Sequence, residues 1–123
     1  MKKFVFFLIV VFAIPVSGCK KGTTATNSSG SYKGVIIKNT CCQIVIQTIG
    51  PNYLGQMNWR DGFDSTGTVY SHVFKVSNPC QFGNHMPYDT INFKIVPMQV
   101  QNCACCMVFT NTPDTSYAIE VVN

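Results

Sequence analysis

The sequence predicts an all-β domain, and three observations carry this prediction. Apolar and polar side chains alternate in four segments, at residues 43–48, 68–76, 89–96 and 117–121. Residues that favour turns, such as those of the Gly-Pro-Asn and Asp-Gly sequences, lie between these segments. No window of a dozen residues carries the apolar stripe of an amphipathic helix. Seven or eight short strands at this spacing predict an antiparallel β-sandwich of immunoglobulin-like size.

Each alternating segment defines one face that we expect to be buried. Weaker strands are predicted at residues 34–38, 53–59, 98–101 and 105–109, where the alternation is less regular. The predicted inward-facing residues of the four clear segments are, in chain order, Ile44, Ile46, Tyr70, Phe74, Val76, Ile91, Phe93, Ile95, Tyr117, Ile119 and Val121.

The first nineteen residues carry a separate signal. Lys2 and Lys3 precede an unbroken apolar run at residues 4–14, which is shorter than the roughly 20 residues that span a bilayer. Residues 16–19 then read Val-Ser-Gly-Cys. This arrangement resembles the signal and lipobox of bacterial lipoproteins. The resemblance implies that residues 1–18 are a cleaved signal peptide and that Cys19 is lipidated, which would anchor the chain to a membrane.

One domain is expected behind this anchor. The segment at residues 20–31 consists of Lys, Gly, Ser, Thr, Asn and Ala without a large apolar side chain, so residues 19–31 are predicted to be a lipidated Cys and a flexible tether. Residues 32–123 have the length of a single domain. Lys20, rather than an acidic residue, follows Cys19, which resembles lipoproteins sorted to the outer membrane. We therefore expect the protein in the cell envelope, facing the periplasm.

The charge of the predicted domain excludes one class of partner. The whole chain is formally +4, but Lys2 and Lys3 belong to the signal and Lys20 and Lys21 lie beside the anchor. The remaining domain is close to neutral and lacks the basic patch of a nucleic-acid-binding protein. The expected partners are the membrane, through the lipid anchor, and an unidentified envelope protein or glycan.

The cysteines are the most informative residues of the predicted domain. An even number of cysteines in a small exported domain favours a disulfide framework, here three bridges whose pairing the sequence leaves open. Cys42 shares its alternating face with Ile44 and Ile46 and is expected to point towards the core. The cysteines of the framework are Cys41, Cys42, Cys80, Cys103, Cys105 and Cys106.

A metal site is the alternative use of these sulfurs. Cys103, Cys105, Cys106 and Met107 place three thiols and a thioether within five residues, and such soft ligands suit copper or zinc. The alternative function is therefore a copper- or zinc-handling periplasmic lipoprotein. The spacing does not match a zinc-binding pattern and exported thiols are oxidised, so we expect disulfides, no metal and no cofactor.

Four residues of predicted loops are candidates for a binding surface. Trp59, Phe63, His85 and Tyr88 lie near Gly, Pro, Asn and Asp residues, and aromatic side chains on loops can stack on a sugar or a peptide. Each also has a simpler interpretation, which for Trp59 is a place in the core and for His85 a solvated loop position.

The sequence carries no recognised catalytic pattern. His72 alternates with apolar neighbours, which favours a buried or edge position over a catalytic one. Asp61 and Asp64 supply too few oxygens for calcium and are expected to stabilise a turn. We therefore predict a lipid-anchored binding or structural module without enzymatic activity.

Overall fold

The structure is a computed structural model that describes residues 30–106, 108 and 110–123. The predicted signal peptide, the lipidation of Cys19 and nearly all of the tether lie outside these residues. The described residues form eight strands and one short 3-10 helix, which confirms the all-β prediction, and none of their helices is long and apolar enough to cross a membrane. The elements are β1 (Tyr32–Thr40), β2 (Gln43–Ile49), β3 (Trp59–Arg60), β4 (Val69–Tyr70), β5 (Val73–Val76), the 3-10 helix (Pro79–Gln81), β6 (Thr90–Ile95), β7 (Ser116–Tyr117) and β8 (Ile119–Val122).

Six strands form one mixed sheet in the order β7-β5-β2-β1-β6-β8. All neighbours are antiparallel except β5 and β7, which are parallel. Only Ala118 separates β7 from β8, yet these strands lie at opposite edges of the sheet. The sheet is therefore curled, so that one short segment completes both of its edges.

The main hydrophobic core is formed by one face of this curled sheet. Most of the predicted inward-facing residues belong to it, because the alternation of each strand keeps one set of side chains on the same face. Ile95, Tyr117 and Val121 are partly buried at its margin. The buried members are Tyr32, Ile36, Ile44, Ile46, Phe74, Val76, Phe82, Ile91, Phe93 and Ile119.

A second, smaller cluster covers the opposite face of β2 and β5. Val45 and Val73 are fully buried there against Trp59, and Ile37 and Tyr70 pack beside them. Trp59 and Tyr70 come from the two-stranded sheet of β3 and β4, which covers this part of the large sheet. The predicted immunoglobulin-like sandwich is not confirmed, since the second sheet has only two very short strands.

One predicted strand is interrupted. The sequence predicts a continuous strand over residues 68–76, but β4 and β5 are separated by Ser71 and His72. His72 has a φ of +59°, and its carbonyl accepts hydrogen bonds from the backbone N–H and the hydroxyl of Thr48. The interruption turns Tyr70 away from Phe74 and into the second cluster. His72 itself is half-buried and stacks on Tyr53, with 4.2 Å between the ring centroids.

Candidate functional site

Two of the four candidate binding residues line the same groove. Phe63 and Tyr88 are 72% and 78% exposed, and they border a groove of about 500 Å³. Trp59 is only 4% exposed and packs in the second cluster, which agrees with its simpler interpretation as a core residue. His85 lies elsewhere, half-buried with its ring 5.2 Å from that of Phe82. We call the groove that Phe63 and Tyr88 border the aromatic groove. Its lining also includes Lys38, Asp61, Asp64 and Thr110.

A partly buried ion pair lies beside Phe63 in the aromatic groove. Lys38 Nζ lies 3.0 and 3.1 Å from the two carboxylate oxygens of Asp61, and the two side chains are only 11% and 15% exposed. The backbone N–H of Phe63 donates to Asp61 Oδ1 at 3.2 Å, and Lys38 Nζ lies 5.5 Å from the Phe63 ring centroid. Asp61 therefore holds in place both the ammonium group of Lys38 and the loop that carries Phe63.

Tyr88 is held on the other side of the groove by β1. Its φ is +72°, a conformation that is uncommon for a bulky residue. Its N–H donates to the carbonyl of Ile36 at 2.7 Å, and the Ile36 N–H donates to the carbonyl of Asp89 at 3.0 Å. The register of β1 shifts between Ile36 and Lys38, so an irregularity of the strand lies next to the groove, as is common at binding sites. The side chain of Tyr88 is thus presented to solvent from a fixed backbone.

Asp64 adds a second carboxylate to the aromatic groove. The Thr66 hydroxyl donates to it at 2.6 Å and the Thr66 N–H at 2.9 Å, and these bonds hold the pKa of Asp64 below its ordinary value. With Asp61 bound to Lys38, both carboxylates have partners within the protein, which supports the turn interpretation over a calcium site. The hydroxyl of Thr110, also in the lining, is buried and has no hydrogen-bond partner among the described residues.

The six domain cysteines form three disulfides, which confirms the predicted framework. The pairs are Cys41–Cys106, Cys42–Cys105 and Cys80–Cys103, with Cα separations of 5.6, 5.6 and 5.7 Å. These separations fall in the usual range for disulfides. Two adjacent cysteines are thus bonded to two other adjacent cysteines. The bridges attach residues 103–106, here called the cysteine strap, to the rest of the domain.

The expectation that Cys42 points into the core is wrong. Cys41 and Cys42 are the two residues of the hairpin turn that joins β1 to β2, with φ values of +50° and +66°. Such two-residue turns favour Gly, Asn and Asp because both residues need positive φ. Both cysteines are half-buried, and their sulfurs reach the strap rather than the core.

The alternative metal ligands Cys103, Cys105, Cys106 and Met107 stay a prediction, because the three cysteines are in disulfides here and Met107 lies outside the described residues. The sulfurs of Cys42, Cys103 and Cys105 lie within 4.8 Å of one another, and those of Cys42 and Cys105 are bonded to each other. They border a second groove of about 530 Å³, the disulfide groove, whose lining includes Gln43, Lys75, Met98 and Gln101. Two buried amide oxygens of this groove, those of Gln43 and Gln101, have no donor among the described residues.

No family model, no curated protein and no solved structure matches this chain.

Proposed function

We propose that this protein is a lipid-anchored binding module of the cell envelope and that its aromatic groove binds a glycan. The observation that carries the proposal is the pair of exposed rings, Phe63 and Tyr88, on the lining of one groove. The C–H faces of a sugar ring pack well against exposed aromatic rings, and this contact buries apolar surface. The sugar hydroxyls lie at the edge of the ring and remain free to form hydrogen bonds with polar groups of the groove.

The polar groups of the groove fit the hydroxyls of such a ligand. Asp61 and Asp64 offer carboxylate oxygens as acceptors, and the hydrogen bonds from Thr66 hold the pKa of Asp64 below its ordinary value. Lys38, Asp61 and Asp64 carry a combined charge of −1, which favours a neutral or cationic ligand over a polyanion.

The anchor is the second part of the proposal. Lipidation at Cys19 would hold the domain near a membrane, which we take to be the outer membrane at its periplasmic face. The tether at residues 20–31 would span at most about 40 Å when extended. Glycans of the envelope within that distance would be accessible to the groove. Replacing Cys19 with Ser should release the protein into the soluble fraction and abolish labelling by fatty acid, and retention in the membrane would contradict the anchor.

Binding is tested with soluble, uncharged oligosaccharides of N-acetylglucosamine, the neutral sugar of the peptidoglycan glycan strands, by calorimetry or NMR titration. Phe63→Ala and Tyr88→Ala should each weaken binding about twofold to tenfold, since an aromatic contact contributes roughly 0.5–1.5 kcal/mol. Tyr53→Ala is the matched control, because Tyr53 is 57% exposed and stacks on His72 away from the groove. Equal losses in all three variants, or binding of an envelope protein but no glycan at the groove, would contradict the proposal.

A further inference from the structure

The sulfurs of two different disulfides converge beside the disulfide groove. Cys103 Sγ and Cys105 Sγ lie 3.8 Å apart, although each is bonded to a different partner. Cys42 Sγ completes a set of three sulfurs that all lie within 4.8 Å of one another. Cys42 is half-buried and the other two residues are exposed, so reductants and metal ions have access to the set.

We propose that reduction converts this set into a Cu(I) site formed by the thiolates of Cys42, Cys103 and Cys105. This site is separate from the proposed glycan site, because the disulfide groove and the aromatic groove have different linings. Two of its ligands, Cys103 and Cys105, are among the metal ligands predicted from the sequence, and Cys42 takes the place of Cys106 and Met107.

The spacing of two of these sulfurs matches the geometry of a metal–thiolate site. Sulfurs bonded to one metal ion at about 2.3 Å lie roughly 3.8–4.0 Å apart in tetrahedral or trigonal coordination. The 3.8 Å between Cys103 and Cys105 agrees with this value. The sulfurs of Cys42 and Cys105 are bonded to each other in the oxidised protein, so after reduction they have to move apart by about 1.8 Å to bind one ion. Soft thiolates select Cu(I), whereas structural Zn²⁺ sites almost always have four ligands.

The chemical step is a thiol–disulfide exchange followed by ion binding. A dithiol reductant supplies two electrons and two protons to each of the disulfides Cys42–Cys105 and Cys80–Cys103 and is itself oxidised to a disulfide. Four protein thiols result. Binding of Cu(I) then displaces the three protons of the ligand thiols, and Cys80 remains a thiol. The complex has a net charge of −2, which Lys75 in the groove lining partly compensates.

The fold keeps the three sulfurs together after these disulfides open. The Cys41–Cys106 bridge still attaches the cysteine strap to the hairpin turn that contains Cys42. Beyond the strap, Gln43 Nε2 donates to the carbonyl of Val108 at 2.6 Å and Asn111 Nδ2 donates to the carbonyl of Arg60 at 2.6 Å. Neither hydrogen bond involves a sulfur atom, so reduction of the disulfides removes neither a donor nor an acceptor.

The test compares cysteine variants in matched pairs. The full chain is purified in detergent, reduced with a dithiol under anaerobic conditions and shown by circular dichroism to retain its β signal. Cu(I) is then titrated against a chromophoric Cu(I) chelator, and native mass spectrometry counts the bound ions. The wild type should bind one Cu(I) per chain in the reduced state and none in the oxidised state.

Cys103→Ser and Cys80→Ser break the same disulfide and leave the same number of thiols, but only the first removes a proposed ligand. Cys103→Ser should weaken Cu(I) binding at least about tenfold, and Cys80→Ser should leave it within about threefold of the wild type. Cys42→Ser and Cys105→Ser, each compared with the same Cys80→Ser control, should weaken binding as Cys103→Ser does. Equal effects of a ligand variant and the control, absence of a bound ion, or loss of the β signal on reduction would overturn the proposal.

Discussion

The side chain of Asn78 pairs with the backbone of Ile119 as a neighbouring strand would. Asn78 Nδ2 donates to the Ile119 carbonyl at 2.7 Å, and the Ile119 N–H donates to Asn78 Oδ1 at 2.9 Å. Asn78 is buried and precedes the 3-10 helix, outside any strand. One amide side chain thus satisfies both backbone groups of the first residue of β8.

Replacing Asn78 with Ala should therefore destabilise the protein strongly. Two buried backbone groups lose their partners, and each unsatisfied group costs roughly 1–3 kcal/mol. We expect a loss of about 2–4 kcal/mol in the free energy of unfolding, measured by urea denaturation of the oxidised protein. Asn92→Ala, at an exposed position of β6, is the control and should change stability by less than about 0.5 kcal/mol. A similar small change for Asn78→Ala would refute the inferred role.

Trp59 supplies a second prediction, because its buried indole N–H has no hydrogen-bond partner among the described residues. Trp59→Phe removes this group and keeps most of the ring, so we expect a change of no more than about 1 kcal/mol. Trp59→Ala leaves a cavity against Val45 and Val73 and should cost about 3–5 kcal/mol. Thermal unfolding by circular dichroism checks both variants. If Trp59→Phe proved as damaging as Trp59→Ala, the indole N–H would have a partner.

A comparison of Gly55 with Gly67 separates the effect of a positive φ from that of a steric clash. Both have positive φ, at +99° and +67°, but a Cβ at Gly55 would collide with the backbone of Val73, whereas a Cβ at Gly67 would meet nothing within 4 Å. Gly67→Ala should cost about 1–2 kcal/mol from conformation alone. Gly55→Ala should cost about 3 kcal/mol or more and disrupt the bridge between Gln56 and Val73. Denaturant unfolding that ranked the two variants equally would contradict this account.

The carboxyl group of Asp64 should titrate below its ordinary pKa of 3.8 because of Thr66. Thr66→Val removes the hydroxyl that has the largest effect and should raise the pKa of Asp64 towards 3.8. Thr68→Val should raise it less, since the hydrogen bond from Thr68 has a smaller effect. A side-chain carboxyl NMR titration measures all three proteins, and a larger shift for Thr68→Val would contradict the assignment.

The sign of the pH effect follows from the depressed pKa of Asp64. Because the pKa is lower in the folded state than in the unfolded state, the ionised group stabilises the fold above pH 3.8. This contribution disappears as the pH falls through the folded-state value. The stability of Thr66→Val should consequently depend less on pH in the acid range than that of the wild type.

Two of the disulfides should be nearly redundant for stability. Cys41–Cys106 and Cys42–Cys105 span 65 and 63 residues and close almost the same loop. Removing either pair by double Ser substitution should cost less than about 1 kcal/mol, because the other pair still restricts the unfolded chain. Removing both should cost about 3–4 kcal/mol, the loop-closure contribution of a single long bridge. Additive losses, measured by urea unfolding, would show that the bridges act through native contacts instead.

The alternation of apolar and polar residues predicted those strands that have one buried and one exposed face. Ile91 and Phe93 of β6 are buried as expected, because β1 and β8 flank them and the strand carries polar residues on its other face. The interruption at Ser71 and His72 was not predictable. It depends on Thr48, a residue of another strand, which binds the His72 carbonyl.

The sequence indicated the candidate site in part. Phe63 and Tyr88 were recognisable as loop aromatics, but their proximity depends on β1, which reaches both loops through Ile36 and Lys38. Lys38 gave no signal of its own, since a single Lys in a predicted strand is ordinarily a solvated residue. The pairing of adjacent cysteines was likewise undetermined, because it required the strap to lie over the hairpin turn.

The short segment that carries β7 and β8 also governs when the sheet can be finished. β1, β2, β5 and β6 all precede this segment in the chain. Without it, β5 and β6 present unpaired backbone groups at two open edges, the kind of surface that recruits strands from other molecules. A folding intermediate or a truncated chain that lacks residues 116–122 in place therefore exposes both edges at once to aggregation.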